Sequence, residues 1–351
     1  MILDRLGVTL PILQAPMAGV SSPAMAAAVS NAGGLGALGI GAAGVAGART
    51  MIDQTRERTS QPFNVNLFVH APARRNPAQD AAWIDHWRPE FARFGATPPA
   101  RLDEIYTSFL TDDAMFAMLL DARPAVVSFH FGLPDAARIT ALRDAGATLL
   151  ATATNLDEAR AAQAAGVHAV VAQGWEAGGH RGMFDPDAPD DRLGTLALVR
   201  LCVRQTGLPV IAAGGIMDGA GIDAALALGA AAAQLGSAYI ATDESLADAG
   251  YRATLAGPAA HHTTMTRTVS GRPARCLANR FTAAQGFAPD AIPDYPVAYD
   301  LGKALNAAAK AAGEPGYGAQ WAGQGAPLCR NLPAAALTRT LAAEMRSIPA
   351  G

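Results

Sequence analysis

Short apolar runs recur along the chain, separated by stretches with helical periodicity. Runs that are apolar on both faces are typical of strands buried in a parallel sheet. Between most of them lie alanine-rich segments such as SPAMAAAVSNAG and NLDEARAAQAAG, which begin at Ser, Asp or Asn and stop at Gly, the usual helix caps. The runs predicted as strands are 11–19, 34–41, 63–70, 125–132, 148–155, 169–176, 209–216 and 231–240.

Eight strands joined by crossover helices predict an α/β fold of the (β/α)8 TIM-barrel type. The competing architecture is a doubly wound open sheet. It usually needs fewer strands, and no GxGxxG motif follows the first predicted strand here.

Two segments exceed what a barrel needs, namely 71–124 and 241–318. Insertions above the carboxyl-terminal face of a barrel usually build the substrate pocket. We therefore predict a barrel over residues 1–240, completed by a C-terminal helix within 319–351. The range 241–318 is predicted to form a smaller substrate-capping domain.

Composition narrows the class of protein. Only 16% of the 351 residues are charged and the formal net charge is −3, which gives no electrostatic reason to expect nucleic acid or an anionic membrane as partner. No apolar run is long enough to cross a bilayer, and the N-terminus lacks an export signal. Three widely spaced cysteines indicate reduced thiols without a metal site. The sequence thus predicts a cytoplasmic enzyme or binding protein.

Two glycine turns follow the last two predicted strands. AAGGIMDG contains Gly214 and Gly215, and QLGSAY contains Gly236 and Ser237. In barrels that bind phosphorylated ligands the phosphate commonly lies on these loops, where bare backbone N–H groups and a hydroxyl can approach it. Ordinary βα turns remain the alternative interpretation.

Polar or unusual residues also end earlier strands. Pro16 in QAPMAGVSS removes a backbone donor at the mouth of the first strand, and Asn66 and Gln173 place amides at the same end of the barrel. These groups could contact the flat ring of a cofactor. A strand-ending bulge and amides satisfied by backbone groups are the alternatives.

His180 lies in QGWEAGGHRG, which carries four glycines and follows the sixth predicted strand. This position is above the barrel mouth, where barrel enzymes perform catalysis. A histidine with an ordinary pKa of about 6.5 is suited to removing a proton near neutral pH. A role as a phosphate or backbone hydrogen-bond donor is the alternative.

Further candidates can form a substrate pocket. His130 ends the fourth strand and can contact a substrate at the same mouth of the barrel, or be a satisfied core histidine. Tyr295, Tyr299 and Lys303 are spaced by four and share one face of a predicted helix, where two phenols and a cation fit a small anion. A partly solvated helix face is the alternative. Tyr106 is a further candidate from the first insertion.

These residues together resemble a known family. The stretches LPILQAPMAGVSSPAMAAAVSNAGGLGALG, FNVNLFV, VSFHFG, QGWEAGGHRG, PVIAAGGIMDG, AQLGSAY, YPVAYDLGKAL and WAGQG look like nitronate monooxygenase, formerly 2-nitropropane dioxygenase, and most like the class acting on propionate 3-nitronate. The resemblance runs from Gln14 to about Arg330. QAPMAG, GGI and GS are shared with other FMN barrels, whereas EAGGHRG with SFHFG is more specific. Ser237 stands where Thr is as common.

The resemblance implies an oxidoreductase that uses FMN and O2, without NAD(P)H, to oxidise alkyl nitronates and so detoxify nitro compounds. It implies that His180 is the catalytic base. By position, the implied FMN contacts are Pro16, Met17, Asn66, Gln173, Gly178, Gly214, Gly215, Gln234, Gly236 and Ser237.

Two other functions stay open from the sequence. One is an FMN-dependent reductase that passes hydride from NAD(P)H to a quinone or an enoyl thioester. The other is a non-catalytic barrel that binds a phosphate ligand. The expected partners of the leading hypothesis are a small nitronate and O2, in a monomer or homodimer.

Overall fold

The computed structural model describes residues 2–284 and 287–345. The strands in these ranges are β1 (Ile12–Gln14), β2 (Gly36–Gly39), β3 (Phe63–Phe68), β4 (Val126–His130), β5 (Thr148–Ala153), β6 (Ala169–Gln173), β7 (Gly179–His180), β8 (Val210–Ala213), β9 (Ala232–Leu235), β10 (Thr263–Thr266) and β11 (Ala274–Leu277).

Most helices begin where the sequence places a capping residue. The side chains of Ser22, Asp135, Asn155 and Asp218 each accept a hydrogen bond from a backbone N–H three residues on. The helices are α1 (Ile2–Leu6), α2 (Pro23–Asn31), α3 (Val45–Arg56), α4 (Pro77–Arg93), α5 (Asp113–Ala122), α6 (Ala136–Asp144), α7 (Leu156–Ala165), α8 (Thr195–Gln205), α9 (Gly219–Ala227), α10 (Ser237–Ile240), α11 (Ala249–Ala256), α12 (Arg280–Ala283), α13 (Val297–Ala311) and α14 (Ala334–Glu344), with short 3₁₀ turns at Ile40–Ala42, Pro258–His261, Pro289–Ala291 and Ala326–Leu328.

Eight parallel strands form a nearly closed barrel in the order β1-β9-β8-β6-β5-β4-β3-β2. A parallel bridge between Leu13 and Leu35 joins the two ends of this sheet. There the Gln14 N–H donates to the Leu35 carbonyl at 2.9 Å, and the Leu35 N–H donates to the Ile12 carbonyl at 3.0 Å. The prediction of a (β/α)8 TIM barrel is therefore confirmed, and the open-sheet alternative is wrong.

All eight barrel strands are shorter than the predicted runs, and the difference is largest at β1 and β9. The run 11–19 is extended only at β1, because Gln14 and Ser21 side chains bind the backbone beyond it and bend the chain away. The run 231–240 leaves the sheet after Leu235 and continues as α10. Both strands stop where the chain turns over the barrel mouth.

Both insertions contribute to one cap above the barrel. Helix α4, from the insertion 71–124, packs against α13 through an apolar cluster that includes Trp83, Trp87, Phe281 and Leu301. A small antiparallel sheet in the order β10-β11-β7 links the cap to the loop after β6. The division into 1–240 and 241–318 stays a prediction.

Helix α14 closes the barrel wall from the C-terminal side. Its Leu337 and Leu341 are buried in the same cluster as Met25 and Val29 of α2. The end of the predicted segment 319–351, residues 346–351, lies outside the described residues.

Three global properties follow for the described residues. None of their helices is long and apolar enough to cross a membrane. They contain no group of three side chains able to hold a metal ion. Cys202, Cys276 and Cys329 are free thiols.

The contact between β2 and α2 gives a stability prediction. A Cβ added at Gly36 would overlap the Ala26 carbonyl, so Gly36→Ala should destabilise the fold by about 1–3 kcal/mol through overpacking. Gly47→Ala is the matched control, because its Cβ would have room on exposed α3 and alanine favours helix by about 1 kcal/mol. Urea unfolding of both variants should give free energies that change in opposite directions. Equal stabilities would show that α2 can move away from β2 without cost.

Candidate active site

One cavity of about 360 Å³ opens at the carboxyl ends of the barrel strands, under the cap. Every residue that the sequence predicts for a site lines this cavity. They are Pro16, Met17, Asn66, Tyr106, His130, Gln173, Gly178, His180, Gly214, Gly215, Gln234, Gly236, Ser237, Tyr295, Tyr299 and Lys303. The structure thus brings them together, while their individual roles stay predictions.

The two predicted glycine turns form one side of the cavity. Gly214 and Gly215 have φ values of 124° and 71°, which L side chains rarely adopt. The Ser237 hydroxyl accepts a hydrogen bond of 2.8 Å from the Gly323 N–H, so its own hydrogen is free to donate to a ligand. A Cβ at Gly236 would meet only side-chain atoms, the nearest being the Ala15 Cβ at 3.5 Å.

A buried glutamine shapes the bend that carries Pro16 and Met17. The Gln14 side chain accepts from the Ala37 N–H at 2.7 Å and donates to the Ser21 hydroxyl at 2.8 Å. The Ser21 oxygen in turn accepts from the Met17 N–H at 3.0 Å. These bonds fix the backbone of the bend against the cavity.

The two predicted strand-end amides are already engaged with protein groups. Asn66 Nδ2 donates to the Ser128 hydroxyl at 2.9 Å. Gln173 Nε2 donates to the His180 carbonyl at 3.0 Å, and its Oε1 accepts from the Gly182 N–H at 2.8 Å. The side chain of Gln173 therefore holds the loop that carries His180, a contact that the sequence did not predict.

His180 belongs to a two-residue strand rather than to a free loop. Strand β7 pairs with β11, where His180 lies opposite Ala274. Its Nε2 lies 2.9 Å from the Ser270 hydroxyl, and its ring lies 5.0 Å from the ring of Trp321 and 5.2 Å from that of Tyr295, between centroids. Within the described part of the chain, Nδ1 has no protein hydrogen-bond partner, and it is not buried. One ring nitrogen is thus fixed and the other is open to a ligand.

The surroundings keep His180 neutral. Burial lowers its pKa well below the ordinary 6.5, and the nearby His130, Arg272 and His70 lower this pKa further. The rings of Tyr295, Tyr299, Phe131 and Trp321 also face it and carry no charge in their usual states. An imidazole with its pKa lowered in this way is unprotonated throughout the physiological pH range, which is the state that a general base requires.

His130 is held on both ring nitrogens. Nδ1 lies 3.0 Å from the Thr152 hydroxyl, and Nε2 lies 3.2 Å from the His180 carbonyl. Burial lowers the pKa of His130 to about 4. His130 lines the cavity and also supports the backbone of His180, which limits the donors that it can offer a substrate.

The residue after His180 anchors the loop in the protein interior. The Arg181 guanidinium is 2% exposed and binds both carboxylate oxygens of Asp190, at 2.9 and 3.0 Å. It also donates to the Gln173 carbonyl. Burial works to raise the pKa of Asp190, but the hydrogen bond from Arg181 and the neighbouring cations lower it overall.

The phenols and the lysine come from both insertions. Tyr299 and Lys303 lie on α13, but Tyr295 does not, so the prediction of one helix face for all three is wrong. The helix begins at Val297 because Pro296 disfavours helical geometry at the residue before it. The rings of Tyr106 and Tyr295 still lie 6.2 Å apart, and the Lys303 ammonium lies 4.8 Å from the Tyr106 ring centroid.

The charged side chains at the cavity are all positive. None of the residues that line it is an aspartate or a glutamate, whereas Lys303 lines it directly. Arg272 lies behind it, 4.3 Å from the Phe131 ring centroid and 2% exposed. In the described ranges neither cation has a carboxylate within 4.0 Å. The cavity therefore favours an anionic ligand.

Burial also keeps the phenols protonated. It raises the pKa of Tyr106 to about 12, and it raises the pKa values of Tyr295 and Tyr299 further. The Tyr295 hydroxyl is buried and has no hydrogen-bond partner among the residues that the structure describes. These hydroxyl groups can act as hydrogen-bond donors to an anion.

Sequence reasoning missed several residues of the site. Ser270 and Trp321 contact His180, Thr152 contacts His130, and Gly323 donates to Ser237. Ser270 comes from an irregular part of the cap, where no periodic pattern marks a functional position. Trp321 and Gly323 belong to the stretch WAGQG, which is part of the family resemblance but gave neither residue a role. Thr152 lies in an apolar strand, and its only signal is a hydroxyl near the strand end.

Comparison with known proteins identifies similar chains. A family model described as nitronate monooxygenase matches residues 1–344. A nitronate monooxygenase from Paraburkholderia phytofirmans is 60% identical over 98% of this chain and 94% of its own length, and one from Pseudomonas aeruginosa is 55% identical over 97% of each chain. The crystal structure of a nitroalkane oxidase from Streptomyces ansochromogenes matches with a TM-score of 0.90 at 43% identity, over 98% of this chain and 97% of that one.

The anchor at Arg181 gives a prediction. Asp190→Asn should leave a buried guanidinium without its counter-ion and lower the free energy of unfolding by about 3 kcal/mol, since removing one partner of a buried pair is costly. The matched control is Asp113→Asn, where the carboxylate that pairs with the buried Arg138 is 92% exposed, so the loss should stay below about 1 kcal/mol. Chemical denaturation measures both. If both variants lost a similar free energy of unfolding, the Arg181–Asp190 pair would contribute no more to stability than the exposed pair.

Proposed function

Because the chain belongs to the nitronate monooxygenase family, we propose that it is an FMN-dependent enzyme that oxidises alkyl nitronates, including propionate 3-nitronate, with O2. The observation that carries this proposal is a cavity that joins a neutral, partly buried histidine to phenol and ammonium donors, without a carboxylate on its walls. Such a lining suits a substrate whose reacting group is an anion.

The residues present fit FMN. The turns at Gly214–Gly215 and Gly236–Ser237 lie on one side of the cavity and offer bare backbone and a hydroxyl hydrogen to a phosphate, without a carboxylate to repel it. The bend at Pro16 and Met17 is fixed by Gln14 and can lie along a flat ring. Asn66, Gly178 and Gln234 line the remaining walls. When bound there, FMN would accept electrons from the substrate and deliver them to O2.

His180 is the proposed general base. With Nε2 fixed by Ser270, the neutral ring can take the α-proton of a nitroalkane at its open Nδ1. A nitronate has already lost this proton, so that substrate needs no base at Nδ1 and only its oxygens have to be bound. The protonated Tyr106, Tyr295 and Tyr299 can donate to those oxygens or to the rest of the substrate.

Lys303 is proposed to hold the acid group of a carboxylated nitronate. Its ammonium lies near the rings of Tyr106 and Tyr299, at 4.8 and 5.5 Å from their centroids. His130, which lies beside the His180 carbonyl, is proposed to contact the nitronate as well. With both of its nitrogens already engaged, it is a poorer base than His180.

The two alternatives have less support. A reductase that uses NAD(P)H and a non-catalytic phosphate-binding barrel both fit the glycine turns, but neither explains the neutral His180 beside phenols. The relatives at 60% and 55% identity are both named nitronate monooxygenase. Detoxification of nitro compounds in the cytoplasm, by a monomer or homodimer, is part of the proposal.

The phosphate site gives a prediction about the cofactor. Gly236→Asp should lower the flavin content of the purified protein, because it places a carboxylate where the phosphate is proposed to bind. Gly236→Ala is the control and should keep the flavin, since a Cβ there meets no atom closer than 3.5 Å. Absorbance of released flavin per protein measures both. If a folded Gly236→Asp variant kept its full flavin content, the phosphate would have to bind at another place.

Two forms of one substrate test His180. His180→Asn should cut kcat/KM for a neutral nitroalkane by about 10²–10⁴-fold, the usual scale of general-base catalysis. The corresponding nitronate should lose far less, because it needs no proton transfer and asparagine can still donate to it. Steady-state O2 consumption measures both rates, and general damage to the fold would lower them together.

The same comparison has a pH signature. A base must be unprotonated, and the pKa of His180 is depressed, so nitroalkane kcat/KM should stay level as pH falls to 6.5 and drop only in more acid solution. The kcat/KM for the nitronate should not show this fall in acid solution. Parallel losses on both substrates in His180→Asn, with flavin retained, would assign His180 to binding instead.

A further inference from the structure

A second cavity, of about 200 Å³, adjoins the first. Tyr299, Lys303 and Trp321 line both cavities and form the wall between them. Beyond this wall the second cavity is bounded by α13, by the start of α11 and by the segment 315–320. It is thus the space that a ligand would enter if it extended from the first cavity past Lys303.

One face of α13 runs through both cavities. Tyr299, Lys303, Asn306 and Lys310 are spaced by three or four residues, so they lie along the same side of the helix. Tyr299 and Lys303 reach the first cavity, and Lys303, Asn306 and Lys310 reach the second. Hydrogen-bond donors therefore continue outward from the proposed substrate site.

The charges in the second cavity also favour an anion. Its single lining carboxylate, Asp248, binds the Lys310 ammonium at 2.7 Å and caps α11 through the Tyr251 N–H at 2.8 Å. This pair is neutral overall. Lys303 remains as the lining cation without a carboxylate within 4.0 Å in the described ranges, and Asn306 adds an amide.

We propose that the second cavity binds the carboxylate of nitronates with longer chains than propionate 3-nitronate. This inference rests on the proposed function, which places the nitronate group near His180. A short acid would meet Lys303 from the first cavity. Each added methylene would carry the carboxylate past Lys303 toward Asn306 and Lys310.

The test uses a series of substrates of increasing length. The nitronates of 3-nitropropionate, 4-nitrobutyrate and 5-nitropentanoate are compared with the neutral nitronates of 1-nitropropane, 1-nitrobutane and 1-nitropentane. In Asn306→Asp, which adds a negative charge to the second cavity, kcat/KM should fall with increasing acid length and reach about tenfold for the longest. The loss should lie in KM rather than kcat, and the neutral series should show no trend with length.

A second variant changes the charge in the other direction. Asp248→Asn keeps a helix cap, because asparagine caps as well as aspartate, and frees the Lys310 ammonium. It should raise kcat/KM for the longest acid several-fold relative to the neutral nitronate of equal length. This variant also keeps the proposal testable if Asn306→Asp folds poorly.

Ala307→Asp is the matched control, since it adds the same charge at the next, exposed position of α13, which lines neither cavity. Equal effects of Ala307→Asp and Asn306→Asp on kcat/KM would show that the added charge acts over a long range, and not through binding of the carboxylate in the second cavity. Losses that do not depend on the acid group or its distance, or no response to Asp248→Asn, would overturn the proposal. If the unsubstituted enzyme turned over no nitronate, the proposed function itself would fail and this inference with it.

Discussion

The candidate site depends on how the backbone of residues 178–182 is held against the barrel. Three side chains fix it: the Gln173 amide spans the His180 carbonyl and the Gly182 N–H, His130 lies within hydrogen-bond distance of the same carbonyl, and Arg181 enters the interior to meet the Gln173 carbonyl and Asp190. Together they determine where the His180 ring stands. On the other side, the antiparallel pairing of β7 with β11 connects this loop to the cap.

This close fit explains why the stretch QGWEAGGHRG contains so much glycine. A Cβ at Gly178 would overlap the backbone of Ala322 and Gly323, and a Cβ at Gly182 would lie 2.6 Å from the Thr152 side chain. Gly179 has a φ of 72°, where other residues are strained. The glycines therefore let the loop pack between barrel and cap, so that the histidine between them is partly buried, neutral and still open on one nitrogen.

The barrel could be predicted from the sequence because its strands are buried on both faces and most of its helices begin at a capping residue. The membership of the site was also predictable, since residues that end parallel strands meet at one edge of the barrel. The detailed contacts were not. Nothing local to Gln173 shows that its amide holds a backbone loop seven residues on, and Ser270 meets His180 only because the cap folds over the barrel. The spacing of Tyr295 from Tyr299 fits a helix, but Pro296 disfavours helical geometry at Tyr295, and the helix begins only at Val297.

In the proposed function, electrons enter this cavity from nitronates and not from a nicotinamide. The most direct measurement is anaerobic mixing of the purified, flavin-loaded protein with propionate 3-nitronate and, separately, with NADH, followed by the visible absorbance of the flavin. From the proposed function we expect that the nitronate bleaches the flavin and that NADH leaves it oxidised over the same time. Rapid bleaching by NADH without bleaching by the nitronate would contradict this expectation and would identify the protein as a reductase on the same barrel.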